Sequence, residues 1–367
     1  MYCQVPNHSH MGREVVIPFA MSIVPMTKLA IINFEKRPDE VYRGLELQRL
    51  DGGAYGSGYR VIAYRRDGFV DVYDQPTLKR VPEEDFAVTG KGLCDHITTY
   101  VAGAKLATSP KGVHVSFSFV DKAGRVIAVD IEDVAESKTR GMNLLAPIGS
   151  SAESPTYLPL FFLEGFDFVR KSSKKTSVTI GGRQILQDDF PVPLPKDMQW
   201  RYYSRYAAQC RIIELARAEK TNLQRHSLTD NGLLVLGDLT YAFGNDLSLK
   251  QMSLSANGFS ARATFTEGIP ALLGLQEGDF ASGDFEVEGN VETGCVSGRY
   301  KVSRDGSLAT IEMTPSGGWQ PRPNSLLTRM MFSPKSVFCS WPKTYRFTQN
   351  INLQNLDSDS RWERIRP

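Results

Sequence analysis

Residues Tyr59–Tyr73 read Tyr-Arg-Val-Ile-Ala-Tyr-Arg-Arg-Asp-Gly-Phe-Val-Asp-Val-Tyr, and this stretch decides the fold class. The turn signal Asp67-Gly68 separates two runs in which apolar side chains alternate with others. Asp-Gly suits a tight hairpin because the central residues can take positive φ at low cost. The same pattern returns over Val113–Ile131, around the turn signal Asp121–Gly124. Because such signals recur along nearly the whole chain, we predict an antiparallel all-β protein.

The length of 367 residues predicts two domains rather than one. We expect residues 1–27 to be an N-terminal extension that can stay disordered, residues 28–220 to form a first β domain, and residues 221–367 to form a second. Each domain is predicted to be an antiparallel barrel or sandwich, and the sequence leaves both forms open. The segment Ala207–Lys220 is rich in Ala, Glu, Arg and Leu, which predicts a short connecting helix. A strand from Tyr202 to Leu215 is the alternative.

Charge and cysteine content narrow the classes of partner. The formal net charge is +2, from 43 basic and 41 acidic residues, which argues against nucleic acid as the main partner. No apolar run reaches the roughly 20 residues that a membrane-spanning helix needs. The five cysteines lack metal-ligand spacing, so we expect a reducing, cytoplasmic location and no metal. Cys94 and His96 alone are a weak metal signal.

The stretch Glu164–Arg170 is the first candidate site. In a strand, Glu164 and Arg170 share one face with two phenylalanines, whereas Asp167 lies on the other face. A carboxyl group among aromatic rings has its pKa raised by desolvation and can serve as a general acid. We therefore name Asp167 and Glu164 as candidate catalytic residues. An acid paired with an arginine at a sheet edge is the structural alternative.

Two further clusters combine aromatic rings with polar groups. In Trp200–Tyr206, aromatic and basic residues alternate, which is typical of a face that binds an aromatic or anionic ligand, or of packed strands with exposed arginines. From this cluster we select Tyr203, Arg205 and Tyr206 as candidate binding residues. His96 is a further polar group for the pocket.

The third cluster lies near the C-terminus. Trp319 follows two glycines, and Trp341 precedes a proline and Tyr345. Tryptophans at such loop junctions suit either the rim of a pocket or the seam between two domains, and a seam is the commoner use. We add Trp319, Trp341 and Tyr345 to the candidate binding residues.

Three stretches, Gly56–Tyr64, Phe162–Arg170 and Gly317-Gly318-Trp319, give the chain a resemblance to a known group. In pattern and length, it resembles the tandem-barrel lipocalin-like group that includes carotenoid hydratases, tocopherol cyclases and fungal decalin-forming cyclases. The resemblance covers most of the chain from Lys28 onward. It implies cofactor-free hydration, cyclisation or isomerisation of a hydrophobic isoprenoid or polyketide-like substrate.

Three functions follow from the sequence, in this order. The first is a lyase or isomerase of the implied kind, in which Asp167 or Glu164 protonates the substrate, Tyr203 and Tyr206 orient it, and Trp319 and Trp341 form an aromatic wall. The second is a lipophilic ligand-binding protein without catalysis. The third is a carbohydrate-active β-sandwich with paired carboxylates roughly 5–10 Å apart in an open groove. The expected partner is a hydrophobic small molecule, with the chain a monomer or a homodimer.

Overall fold

The computed structural model describes fourteen stretches of the chain, which are residues 13–24, 26–52, 55–80, 91–109, 112–134, 142–146, 155–170, 172–188, 200–207, 209–256, 258–289, 291–323, 325–332 and 342–365. Within them the chain forms the following strands and one α-helix, in chain order: β1 (Glu14–Val16), β2 (Met21–Val24), β3 (Met26–Asn33), β4 (Tyr42–Asp51), β5 (Ser57–Arg65), β6 (Val70–Asp74), β7 (Leu93–Thr98), β8 (Ala102–Ser109), β9 (Gly112–Val120), β10 (Val126–Val134), β11 (Met142–Ala146), β12 (Leu158–Arg170), β13 (Ser172–Ile180), β14 (Arg183–Gln184), β15 (Trp200–Ala207), β16 (Gln209–Leu215), β17 (Lys220–Asn222), β18 (Arg225–Ser227), β19 (Leu233–Leu236), β20 (Leu239–Phe243), β21 (Leu249–Ala256), β22 (Phe259–Ile269), β23 (Phe280–Glu288), β24 (Cys295–Asp305), β25 (Leu308–Gln320), α1 (Leu326–Phe332), β26 (Tyr345–Asn352) and β27 (Asp357–Arg364).

The prediction of an all-β protein is confirmed, and the turn residues account for its hairpins. Gly68 closes the turn between β5 and β6 with a φ of 92°, and Arg65 donates its backbone N–H to Phe69 across a distance of 3.0 Å. Gly124 has a φ of 78° in the turn between β9 and β10. Glycine takes these positive φ values at low cost because it has no Cβ. Both turns lie where the sequence predicts them.

Three sheets make up most of the fold. The central sheet has the strand order β2-β16-β12-β15-β3-β4-β5-β6-β7, and β11 pairs with β12 beside this path. All its pairs are antiparallel except β6 with β7, which is parallel. The outer sheet has the order β14-β13-β10-β9-β8, and the C-terminal sheet runs β17-β27-β26-β25-β24-β23-β22-β21-β20-β19. A fourth pairing joins β1 to β18.

The outer sheet packs on the central sheet as a β-sandwich. Alternate residues of β3, β4 and β5 point into the core between the two sheets, including Ile32, Leu45 and Val61, each fully buried. They meet alternate residues of β9 and β10, such as Phe117 and Ile127. Because successive side chains of a strand point to opposite faces, the other residues of β4 and β5 lie on the far face of the central sheet. No closed barrel is formed by the pairings of the strands described above.

The larger apolar core involves the C-terminal sheet. It combines inward residues of that sheet, such as Phe265 and Phe347, with residues of β12 and β16, such as Phe162 and Ile213. This core therefore takes side chains from both sides of residue 220. The domain boundaries drawn from the sequence stay predictions.

The N-terminal stretch contributes to the same core. Phe19 is 7 % exposed and makes edge-to-face contacts with Phe265 and Phe347, with ring centroids 6.0 Å apart in each pair. The Pro18 carbonyl accepts a hydrogen bond of 2.6 Å from the buried amide Nε2 of Gln349. From residue 13 onward, the structure therefore shows strands and buried side chains where the sequence predicts an extension that can stay disordered.

The predicted connecting helix over Ala207–Lys220 is wrong, because its first half is β16. This strand pairs with β12 on one side and β2 on the other, and Cys210, Ile212 and Ile213 are buried. Pairing on both edges and burial of β-branched side chains outweigh the helix propensity of the Ala and Glu residues. The alternative strand, Tyr202–Leu215, is nearer to the structure, although β15 and β16 are separate strands with different neighbours.

We expect Phe19→Ala to lower the free energy of unfolding by about 3 kcal/mol, because it removes a buried ring from between two others. Chemical denaturation followed by tryptophan fluorescence measures this. Phe280→Ala is the matched control, since Phe280 is 66 % exposed, and its effect should stay within about 0.5 kcal/mol. Equal effects of the two substitutions would show that the N-terminal stretch does not stabilise the core.

Candidate functional site

A set of polar side chains is buried on the face of the central sheet that points away from the sandwich core. They alternate with core residues along β4, β5 and β6, and the parallel strand β7 adds a histidine. We call them the buried polar cluster, and its members are Glu46, Gln48, Arg60, Asp74 and His96, together with the half-buried Tyr64. Glu46 is 1 % exposed and Arg60 is 2 % exposed. Such burial is costly for charged groups unless they are paired, so their contacts decide what the cluster can do.

Asp74 joins Arg60 to His96. The Arg60 guanidinium donates two hydrogen bonds to the carboxylate, of 2.7 Å from Nε and 2.9 Å from Nη2. His96 Nε2 lies 2.7 Å from the Asp74 Oδ2 atom. Burial acts to raise the pKa of Asp74, but the bonds from Arg60 and His96 outweigh it and hold that pKa below 3.8. Asp74 is therefore an anion that fixes the orientation of the imidazole through Nε2.

Glu46 is the second acid of the cluster. Its Oε1 atom accepts a hydrogen bond of 2.7 Å from Gln48 Nε2, and its Oε2 atom accepts one from the Tyr64 hydroxyl. In the pairing register, Glu46 lies in one row with Ile62, Val72 and His96 on the next three strands. The row thus places an acid and a histidine on either side of an apolar strip.

Glu164, a candidate from the sequence, lies on β12 of the same central sheet. Its side chain is half-buried, and its Cα partner is Gln209. Burial raises the pKa of the neighbouring thiol, Cys210, and the negative charges of Glu46 and Glu164 raise it further. Both glutamates therefore contribute to the electrostatic environment of the same buried thiol.

Four other candidates are located by their backbone only. Asp167 is the Cα partner of Tyr206, and the next pair along is Phe168 with Arg205. Arg205 is in turn the partner of Ile31, and Ile31 is the partner of Glu46. Arg205 therefore continues the row of Glu46 and His96 towards β12. The side chains of Asp167, Tyr203, Arg205 and Tyr206 lie outside the described part of the structure, as does Trp341 altogether.

The two remaining candidates are core residues. Trp319 is 2 % exposed, donates a hydrogen bond of 2.8 Å from Nε1 to the Thr293 carbonyl, and packs edge-to-face on Phe332 at 5.0 Å. Tyr345 is fully buried, and burial raises its pKa to about 12. Trp319 thus contacts helix α1 through Phe332, and both Trp319 and Tyr345 belong to the larger apolar core.

A second charged group lies at the edge of the sandwich, on the other face of β6. Lys122 Nζ lies 3.0 Å from Asp71 Oδ1, 3.6 Å from Cys94 Sγ, and in contact with the Asp95 carboxylate. Asp71, Cys94 and Asp95 are close enough to share a metal ion. The lysine ammonium already contacts all three of them. Burial acts to lower its pKa, but the hydrogen bonds to the two aspartates outweigh burial and raise that pKa. We therefore interpret this group as a lysine-centred ion-pair network. His96 bonds Asp74 on the opposite face, so it does not join Cys94 as a ligand.

Of the buried polar cluster, only His96 is predicted from the sequence. Glu46, Gln48 and Arg60 alternate with apolar residues in β4 and β5, and such alternation is typical of a solvent-facing side. The structure shows that the face of β4 and β5 that carries these three residues is buried as well. Asp74 is the last residue of β6, and no local signal in the sequence marks it.

Comparison with known proteins gave no matching family model, and neither a curated protein nor a solved structure matched at a significant level. In the described part of the chain, no helix has both the length and the apolar character required to cross a bilayer.

Replacing Asp74 leaves the buried Arg60 guanidinium without its carboxylate. We expect Asp74→Asn to lower the free energy of unfolding by about 3 kcal/mol at neutral pH. Because the folded-state pKa of Asp74 is depressed, its stabilising contribution is complete above pH 3.8 and is lost as the pH falls towards the folded-state value. The difference between wild type and Asp74→Asn, measured by urea denaturation from pH 7 downward, should therefore shrink in acid.

The control for this experiment is Asp359→Asn, since Asp359 is exposed and pairs with an exposed lysine. Its effect should stay below about 1 kcal/mol at every pH. A stability difference for Asp74→Asn that does not change with pH would contradict the assignment of a buried, ionised Asp74.

Cys94 is exposed, but it is not activated as a nucleophile. Partial burial and its hydrogen bond to Asp95 raise the pKa of this thiol above 9.0, although Lys122 opposes the shift. We expect its alkylation by iodoacetamide, mapped by peptide mass spectrometry, to keep accelerating above pH 9. The buried Cys210 and Cys295 serve as unlabelled controls. Rapid labelling of Cys94 with a plateau near neutral pH would contradict this interpretation.

Proposed function

We propose that the protein binds a hydrophobic small molecule at the face of the central sheet that carries the buried polar cluster, and transfers protons to and from it there. The reaction class is cofactor-free hydration, cyclisation or isomerisation of an isoprenoid or polyketide-like substrate. The observation that carries the proposal is the chain of contacts from Arg60 through Asp74 to His96. An imidazole held by a buried carboxylate is a common arrangement for general acid–base catalysis.

The contacts support different roles for the two ring nitrogens. Nε2 of His96 is engaged by Asp74, so proton transfer to the substrate takes place through Nδ1. Asp74 stabilises the imidazolium electrostatically, and its ion pair with Arg60 keeps it from taking the proton itself. In a hydration, the imidazolium gives its Nδ1 proton to a double-bond carbon. Water then adds to the resulting cation and returns one proton to Nδ1, so that the histidine is restored.

The apolar strip between the two polar groups supports a hydrophobic substrate. Ile62, Val70 and Val72 form a small cluster of their own on this face, and each is less than 5 % exposed. Glu46, with its hydrogen bonds from Gln48 and Tyr64, is a second polar group for the substrate to meet. Glu164 and Asp167 remain the acids that the sequence predicts, and Arg205 remains a candidate for orienting the substrate.

The first test is native mass spectrometry of the protein purified from its natural host. We expect a hydrophobic molecule to co-purify, and the stripped protein to regain it from a lipid extract of that host. A clean unliganded mass, with nothing regained from the extract, would contradict the proposal.

The second test asks whether His96 transfers the proton. With the recovered ligand class as substrate, we expect His96→Asn to lower turnover by at least about 100-fold. His114→Asn is the matched control, because His114 lies on β9 beside Asp130, with its side chain 32 % exposed. Binding without turnover in the wild type would identify a carrier, and full turnover in His96→Asn would reject the histidine as the acid–base group.

A further inference from the structure

One end of the C-terminal sheet holds a cavity of about 630 Å³, and none of its lining residues belongs to a strand of the central sheet. It forms where the turn between β24 and β25 meets the loop after β22 and the turn after β26. Backbone hydrogen bonds tie these segments together, from Arg304 to the Asp279 carbonyl at 3.0 Å and from Leu353 to the Ser307 carbonyl at 2.7 Å. The volume is within the range of small-molecule sites.

The guanidinium of Arg304 lines this cavity without an acidic partner. Its Nε atom donates a hydrogen bond of 2.9 Å to the Gly306 carbonyl, and Nη1 donates one to the Leu275 carbonyl. Among the described residues, no carboxylate lies within ion-pair distance of it. Two backbone carbonyls thus fix the orientation of a half-buried cation and leave its charge uncompensated.

The other lining residues set the kind of ligand. Arg225 adds a second positive charge, and its Nη1 atom forms an ion pair of 3.2 Å with Glu14 Oε2. Leu273 and Leu353 supply half-buried apolar surface beside the two arginines. Glu277 also lines the cavity, and it forms no ion pair with either arginine in the described contacts. The lining therefore combines one uncompensated guanidinium and other polar groups with a small apolar surface.

We propose that this cavity binds a small organic anion, whose carboxylate or phosphate pairs with Arg304 and whose apolar part lies against Leu273 and Leu353. Nη2 and the second hydrogen of Nη1 take no part in the two carbonyl bonds, so the guanidinium keeps N–H donors for either kind of anionic group. The inference does not depend on the proposed function, since it uses other residues on another sheet.

The test is isothermal titration calorimetry of the full chain with octanoate and with octyl phosphate, and with acetate and inorganic phosphate as probes that lack the apolar part. We expect saturable binding of at least one octyl probe, weaker binding of its short counterpart, and affinity that falls as salt is added. Arg304→Gln should weaken binding about tenfold or more, because it removes a charge-assisted hydrogen-bonded pair. Arg299→Gln is the matched control on the same strand, because Arg299 is exposed and outside the cavity, and it should leave the affinity unchanged.

If the Arg304→Gln protein does not fold, Ser307→Glu serves as a second variant that tests the same cavity. It adds a negative charge to the cavity without removing the carbonyl bonds of Arg304, so it should also weaken binding about tenfold or more. The proposal is overturned if neither octyl probe binds at concentrations up to about 1 mM, or if the folded Arg304→Gln and Ser307→Glu proteins both bind as tightly as wild type.

Discussion

The ion pair between Arg60 and Asp74 is the interaction on which the proposed site depends. Both groups are buried, and an unpaired charge in that position would cost several kcal/mol. Their pairing leaves one carboxylate oxygen bonded to His96, so a single anion neutralises the arginine and orients the imidazole. If the pair were lost, the histidine would lose its orientation together with its electrostatic partner.

The sandwich explains why this pair is buried at all. The pleat of β4, β5 and β6 sends Leu45, Leu47 and Val61 into the core beneath the outer sheet, so the residues between them point the other way. That far face is also buried, and the central sheet therefore has no solvent face at this point. The polar residues of the far face have to satisfy one another there, which yields the two hydrogen-bonded groups around Asp74 and Glu46.

Local chemistry made much of the fold predictable. The turns at Gly68 and Gly124 follow from positive φ, and the strands beside them follow from two-residue alternation. The segment Ala207–Lys220 shows where local chemistry fails, because its composition favours a helix whereas pairing with β2 and β12 makes it a strand. Phe19 was equally unpredictable, since its contacts with Phe265 and Phe347 span more than 200 residues.

The site was predictable only in part, for the same reason. His96 was found because histidines are few, whereas Arg60 and Asp74 resemble ordinary exposed positions of alternating strands until the sheet order is known. Trp319 is a different case. The sequence makes it a candidate binding residue, and in the structure it packs on Phe332 and donates a hydrogen bond to the Thr293 carbonyl. Strands that lie far apart in the sequence pair in the sheet, and this pairing cannot be read from local sequence patterns. The pairing of the strands decides which polar residues are buried together.

The most direct test of the account is ¹⁵N NMR of the His96 imidazole over the pH range in which the protein stays folded, with His96→Asn used to assign its signals. If Asp74 orients the ring as described, Nε2 keeps its proton throughout and Nδ1 is the nitrogen that gains and loses one. If Nε2 instead loses its proton while Nδ1 keeps one, Asp74 does not hold the ring in this way, and the proposed proton-transfer site is wrong.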